Sequence, residues 1–165
     1  MVMGYLERLT VFVWDFRHES SRSLCMNANQ ELQLLRILSG IPSVERLVLA
    51  GNLKCLAPQA RINDHSFETC WNMPNIQDLT LIGDVWSSPS TASALQHMLK
   101  QSIQLKRLQI PIEATSVCKL VLPSLCTLSL FLQPDTIAIN LMKQWYVFFE
   151  NNPLVEDLWC NPSLT

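Results

Sequence analysis

Val44-Glu45-Arg46-Leu47-Val48-Leu49-Ala50-Gly51-Asn52 places aliphatic residues at its first, fourth and sixth positions and an amide at its ninth. Ile76-Gln77-Asp78-Leu79-Thr80-Leu81-Ile82-Gly83-Asp84 repeats the pattern, with glycine again at the eighth position and an acid at the ninth. Weaker copies are Leu6-x-x-Leu9-x-Val11, Leu105-x-x-Leu108-x-Ile110, Leu125-x-x-Leu128-x-Leu130 and Val155-x-x-Leu158-x-Cys160. The second and third apolar positions of each copy are two residues apart. That is the period of a strand with one buried face. Gly51 and Gly83 stand where a strand exits into a turn.

The first positions of the copies lie 20 to 38 residues apart, within the range of repeat architectures of roughly 20–50 residues. The intervals carry helical spacing. Glu31 to Ser39 sets Leu32, Leu35 and Leu38 on one face, with Gly40 as a stop. Pro89 suits the first position of a helix whose inner face is Leu95, Met98 and Leu99. A third helix is expected from about Asp135, with the stripe Ile137, Leu141, Trp145, Phe148 and Phe149, ending at Asn151-Asn152-Pro153. Asp64 to Trp71 fits a short helix with Phe67, Cys70 and Trp71 inward, and the shortest interval leaves room only for a helical turn or an extended link around 116–120. Strands separated by helical crossovers pair in parallel, because a hairpin cannot join parallel neighbours. The expected fold is therefore α/β: a solenoid with a parallel sheet of about six short strands on one face and irregular helices on the other. Residues 1–165 form one domain in this reading, a piece of a longer repeat array.

The string Leu-x-x-Leu-x-Leu-x-x-Asn resembles the leucine-rich repeat signature, and Val44–Asn52 matches it at every marked position. In that family the terminal Asn forms a ladder along the solenoid. The corresponding positions here are Trp14, Asn52, Asp84, Glu113, Gln133 and Ser163, so the ladder is mostly absent. Irregular spacing, with strands such as Pro42-Ser43-Val44-Glu45-Arg46-Leu47, is similar to the repeat region of fungal F-box proteins. The leucine-rich tails of nucleotide-binding immune receptors are similar as well. The N-terminal stretch has no F-box pattern, and no Gly-x-x-x-x-Gly-Lys-Ser/Thr phosphate loop occurs. The resemblance thus implies the recognition portion of such a protein: the substrate-recognition part of an F-box ubiquitin-ligase adaptor or, alternatively, a sensor tail. A truncated product without independent function is a further reading.

Composition narrows the chemistry. Charged residues make up 16% of the chain, against about 25% in ordinary domains, so much of it must be buried. A net charge of −2, with Lys106-Arg107 as the only adjacent basic pair, argues against a nucleic-acid partner. No apolar run reaches the ~20 residues of a membrane helix; Cys118–Leu132 is interrupted by Pro123, Ser124, Thr127 and Ser129. The six cysteines include no C-x-x-C pair, and Cys70, Cys126 and Cys160 read as small buried hydrophobes. Without a secretory leader pattern the expected compartment is intracellular, cytoplasmic or nuclear. His18, His65 and His97 share no metal-ligand spacing. A cysteine hydrolase built on Cys55 or Cys70 with His65 is the weakest reading, because no local signature supports an activated nucleophile. No catalytic residue, metal or cofactor is expected.

Strand alternation supplies the candidate surface. Residues between the buried leucines face outward, which predicts a partner-binding face of Arg8, Phe12, Arg46, Val48, Asp78, Ile82, Arg107, Gln109, Phe131 and Trp159. A first column of charges and a third column of apolar residues (Phe12, Ile82, Phe131) match the composition of a protein-binding patch. The expected function is non-enzymatic protein–protein interaction, with self-association through uncapped repeat ends.

Overall fold

The leucine pairs form strands that lie side by side in the order of the sequence. The computed structural model describes residues 9–15, 27–51, 53–56, 71–132 and 138–162. Within them are β1 (Val11–Asp15), α1 (Ala28–Ser39), β2 (Arg46–Ala50), β3 (Asp78–Ile82), α2 (Ala92–Gln101), β4 (Arg107–Pro111), β5 (Thr127–Leu132), α3 (Ala138–Asn151) and β6 (Asp157–Pro162). The strands build one six-stranded sheet in the order β1-β2-β3-β4-β5-β6. All five neighbouring pairs are parallel. The sheet is open: β1 and β6 are its edges.

Register makes the core continuous. Phe12, Leu47, Leu79, Leu108, Leu128 and Leu158 stand in one row across the sheet. The middle four are 0% exposed, and each such leucine contributes roughly 1.5–3 kcal/mol by area. Trp14–Leu49–Leu81 and Ile110–Leu130–Cys160 line the next rung. The helices cover this face. Leu35, Leu38, Leu95, Met98, Leu99, Trp145 and Phe148 join the strand leucines in one apolar cluster.

Local signals set both ends of α1 and the start of α2. Asn27 caps α1: its side chain accepts from the Gln30 N–H at 3.0 Å, and Gln30 Oε1 accepts from the Asn27 N–H at 2.8 Å. Gly40 stops the helix in a right-handed conformation (φ −80°), so the stop needs no left-handed residue. Ser88 and Pro89 open a 3-10 turn, Pro89–Thr91, that leads into α2. The short interval holds a 3-10 turn, Thr115–Val117. Glycine is required where β2 and β3 exit. Gly51 and Gly83 have φ of 98° and 127°, and a Cβ on Gly83 would lie 2.8 Å from the Gly51 carbonyl oxygen.

Buried polar groups tie these layers together. Glu31, 1% exposed, accepts from the Cys55 N–H at 2.8 Å and so fixes α1 against the 3-10 turn Lys54–Leu56. Trp145 Nε1 donates to the Ile112 carbonyl at 2.7 Å. Asn152 follows α3. Its Oδ1 accepts from the Leu122 N–H at 2.6 Å, and its Nδ2 donates to the carbonyls of Leu120 and Phe148, both at 2.8 Å.

Several expectations are corrected. The first copy is shifted by three residues: Leu9-x-x-Phe12-x-Trp14 is the working pattern, not Leu6-x-x-Leu9-x-Val11. Phe12 and Trp14 oppose Leu47 and Leu49, and their rings meet edge-to-face at 6.4 Å, while Val11 and Val13 are exposed. Two aromatic rings bury more apolar area than a Leu/Val pair, which explains the preferred register. Cys126 and Cys160 are exposed rather than buried. Cys126 precedes β5 instead of lying within it, and Cys160 sits on the edge strand. Phe131, expected on the open face as an exposed residue, is 7% exposed. Trp71 is buried as expected; the rest of the Asp64–Trp71 segment, with Leu6, Arg8, Asn52, Asp135 and Ile137, lies outside the described residues.

Candidate functional site

The outward side chains of the sheet fall into three columns that differ in character. In the first, register aligns Val11, Arg46, Asp78, Arg107, Thr127 and Asp157. Its centre alternates in sign across adjacent strands. Arg46 Nε lies 3.6 Å from Asp78 Oδ2, with the arginine side chain half exposed and the carboxylate mostly covered. Such a surface pair stabilises the fold by less than about 1 kcal/mol. Asp78 Oδ1 is buried without a hydrogen bond, and Arg107, exposed on the next strand, pairs with none of the described residues. The row therefore keeps unspent hydrogen-bonding capacity of both signs.

The second column is Val13, Val48, Thr80, Gln109, Ser129 and Trp159. Thr80 Oγ1 donates to Gln109 Oε1 at 3.3 Å, and Thr80 and Ser129 are each 5% exposed. The column is apolar and open at its ends, where Val13 and Trp159 are both 59% exposed. The third column does not form the exposed apolar stripe that the sequence suggested. Ala50 and Phe131 are buried, Pro111 is buried too, and Ile82 is half-buried. Small or apolar neighbours in register, Ala50 beside Ile82 and Pro111 beside Phe131, close over this end of the sheet.

Of the ten expected face residues, Arg46, Val48, Asp78, Arg107, Gln109 and Trp159 share one open surface of two columns. Ile82 borders it. Phe131 is buried, and Phe12 is turned to the core. Arg8 lies outside the described residues. Val13 belongs to the surface and was missed, because its position depends on the three-residue shift of β1. The signal was present: Leu9-x-x-Phe12-x-Trp14 fits the repeat once aromatics count as core residues.

Among the described residues no group of three or more His, Cys, Asp or Glu side chains could hold a metal ion. On the helical side, Gln96, Ser116, Cys118, Lys119, Gln144 and Val147 line a shallow cleft of about 330 Å³. Burial pushes the Cys118 thiol up from 9.0 to about 11, so it is not an activated nucleophile. The folded pKa exceeds the unfolded one. The contribution to stability is thus complete below pH ~9 and lost as pH rises from 9 to 11. At pH 8, Cys126 and Cys160 are expected to react with a maleimide at the rate of exposed thiols and Cys118 at least ten-fold more slowly. Peptide mapping of a time course checks this order.

No helix among the described residues is long and apolar enough to cross a membrane. No protein-family model matches the chain, and no curated protein matches it.

Proposed function

We propose that this chain is a non-enzymatic protein-interaction module of the leucine-rich-repeat type, and that it serves as the substrate-recognition portion of an F-box ubiquitin-ligase adaptor. The partner is a protein, held on the open face of the sheet by Arg46, Val48, Asp78, Arg107, Gln109 and Trp159. The observation that carries the interaction reading is the Arg46–Asp78–Arg107 row, alternating in charge across three strands, with the exposed Trp159 in the adjacent column two strands further on. Alternating charge discriminates between partners, because a wrongly signed group opposite any position is repelled. Exposed Arg and Trp are the residue types that most often dominate binding energy. The repeat string Val44–Asn52 and the sequential order of the parallel strands support the repeat reading.

The test is the double substitution Arg46→Glu with Arg107→Glu. Both side chains are exposed, but each glutamate stands in register with Asp78, so cross-strand repulsion of roughly 1–2 kcal/mol is expected, and the melting temperature should fall by no more than about 8 °C. Quantitative affinity capture from cells is expected to lose the chain's specific partners by about ten-fold or more, in line with two hot-spot charges. An unchanged partner set, with the variant folded, contradicts binding at this face. Co-capture of the ubiquitin-ligase scaffold with the full-length gene product tests the adaptor role; its absence removes that role and leaves the interaction reading intact.

A further inference from the structure

The helical side of the sheet has one thin place. α2 carries the crossover from β3 to β4, and α3 carries that from β5 to β6. The crossover between them, residues 112–126, holds only the 3-10 turn Thr115–Val117. The sequence accounts for this. Leu105 and Leu125 bound the shortest interval between copies, which is too short for a helix of two or more turns.

A groove follows from the missing helix. Gln96 of α2 and Gln144 and Val147 of α3 wall a space of about 330 Å³, and Ser116, Cys118 and Lys119 lie beneath it. Gln96 Nε2 donates to the Ser116 carbonyl at 2.8 Å and so holds the turn to α2. A smaller depression of about 30 Å³ continues between Lys100 and Ile103 on one side and Val121 and Pro123 on the other. The two lie end to end, because α2 and the crossover line both in the same order. Three aliphatics stand uncovered along this line: Val147 is 41%, Ile103 59% and Val121 63% exposed. Its charge has one sign. Lys100 and Lys119 are exposed, and neither lining contains an aspartate or a glutamate.

We infer that this groove is a docking site for an amphipathic helix of another protein, one whose apolar stripe is flanked by Asp and Glu. Helices form its walls and the crossover supplies none of its own, so an added helix packs its side chains between α2 and α3. Its stripe covers Val147, Val121 and Ile103, and its acids meet Lys119 and Lys100. A basic helix is repelled at both lysines. An extended segment gains no main-chain bonds here, because β4 and β5, which this crossover joins, are hydrogen-bonded on both sides. The site is separate from the open face, since the apolar core lies between them.

The probe is a fluorescent, stapled helix of about 15 residues, with leucines at i, i+4 and i+7 and glutamates on both flanks of that stripe. It is titrated with the whole chain and followed by anisotropy. Saturable binding is expected, with amide shift changes in isotope-labelled chain confined to 96–103, 115–124 and 144–147. A helix with lysines in place of the glutamates is expected to bind about ten-fold more weakly or worse, and Lys100→Glu/Lys119→Glu to reverse that preference. Ile103→Ser/Val121→Ser is expected to weaken the acidic helix by about ten-fold or more. All four positions are exposed, so neither variant should lower the melting temperature by more than about 5 °C. Absence of saturable binding overturns the inference, as does equal affinity for the acidic and basic helices. Shift changes centred on Arg46, Thr80, Gln109 and Trp159 would put the helix on the open face and also overturn it. Dimerisation of the chain alone, abolished by Ile103→Ser/Val121→Ser, would assign the groove to a second copy with the same consequence.

Discussion

Leu79→Asp is expected to remove cooperative folding at neutral pH. Leu79 is 0% exposed and stands in register between Leu47 and Leu108. The substitution loses roughly 1.5–3 kcal/mol of leucine burial. It also puts a carboxyl where no water can reach, which costs several kcal/mol more even if the group stays neutral. The total rivals the whole stability of a typical domain, about 5–15 kcal/mol. Because each strand leans on its neighbours, the loss spreads to β2 and β4. The aspartate would hold its proton to higher pH in the folded state than in the unfolded one. Stability should therefore return in part as pH falls toward ~4. Circular dichroism melts check both points, with Leu158→Asp as the internal control. That residue occupies the equivalent place on the edge strand with 43% exposure, and its replacement should cost only about 1–2 kcal/mol. A melting temperature for Leu79→Asp within a few degrees of the parent would remove Leu79 from the core.

Asn152→Ala is expected to cost about 2–4 kcal/mol, from the loss of three buried hydrogen bonds and the stranding of their partners. The Leu122 N–H loses its acceptor, and the carbonyls of Leu120 and Phe148 lose their donor. In a chain of this size that corresponds to a fall of roughly 5–15 °C in melting temperature. Damage should concentrate where α3 ends and the 120–122 link passes beneath it. Hydrogen exchange is therefore expected to rise first at Leu122 and over the last turn of α3, with β2 and β3 less affected. Asn152→Asp keeps the acceptor but replaces the amide donor with a carboxylate facing two carbonyls, so at neutral pH it should be no milder than alanine. Uniform exchange across the sheet, or an unchanged melt, would show that these bonds do not join the helix to the link.

The repeat string was readable because one period carries two kinds of information. The two-residue spacing of Leu47/Leu49 and Leu79/Leu81 specifies strands, and the long helical intervals between copies specify parallel pairing. Positions that hold aliphatics in every copy could be aligned by eye, and β2 to β5 follow that alignment. β1 could not be aligned that way, because two overlapping frames fit the same stretch and the correct one fills the rung with Phe12 and Trp14. A strand period also says which side a residue faces, but not whether anything covers it. Phe131 and Trp159 are both on the outward side, yet one is 7% and the other 59% exposed. Cys160 shows the converse: it has an inner position without burial, and among the described residues no strand lies beyond β6 to cover it. Asn152 was read only as a helix stop. Its three partners come from a segment some 30 residues away and from α3 itself, a coincidence that no local pattern encodes.

The stacking of leucines from separate copies is tested most directly by methyl–methyl Overhauser contacts in a sample labelled at leucine and valine methyls. Neighbouring parallel strands lie about 4.8 Å apart, so cross-peaks are expected in the sequence Leu47–Leu79, Leu79–Leu108, Leu108–Leu128, following the register. Leu47 and Leu128, three strands apart, should show none. A direct Leu47–Leu128 contact, or loss of the Leu79–Leu108 contact in folded protein, would contradict the ordered parallel sheet.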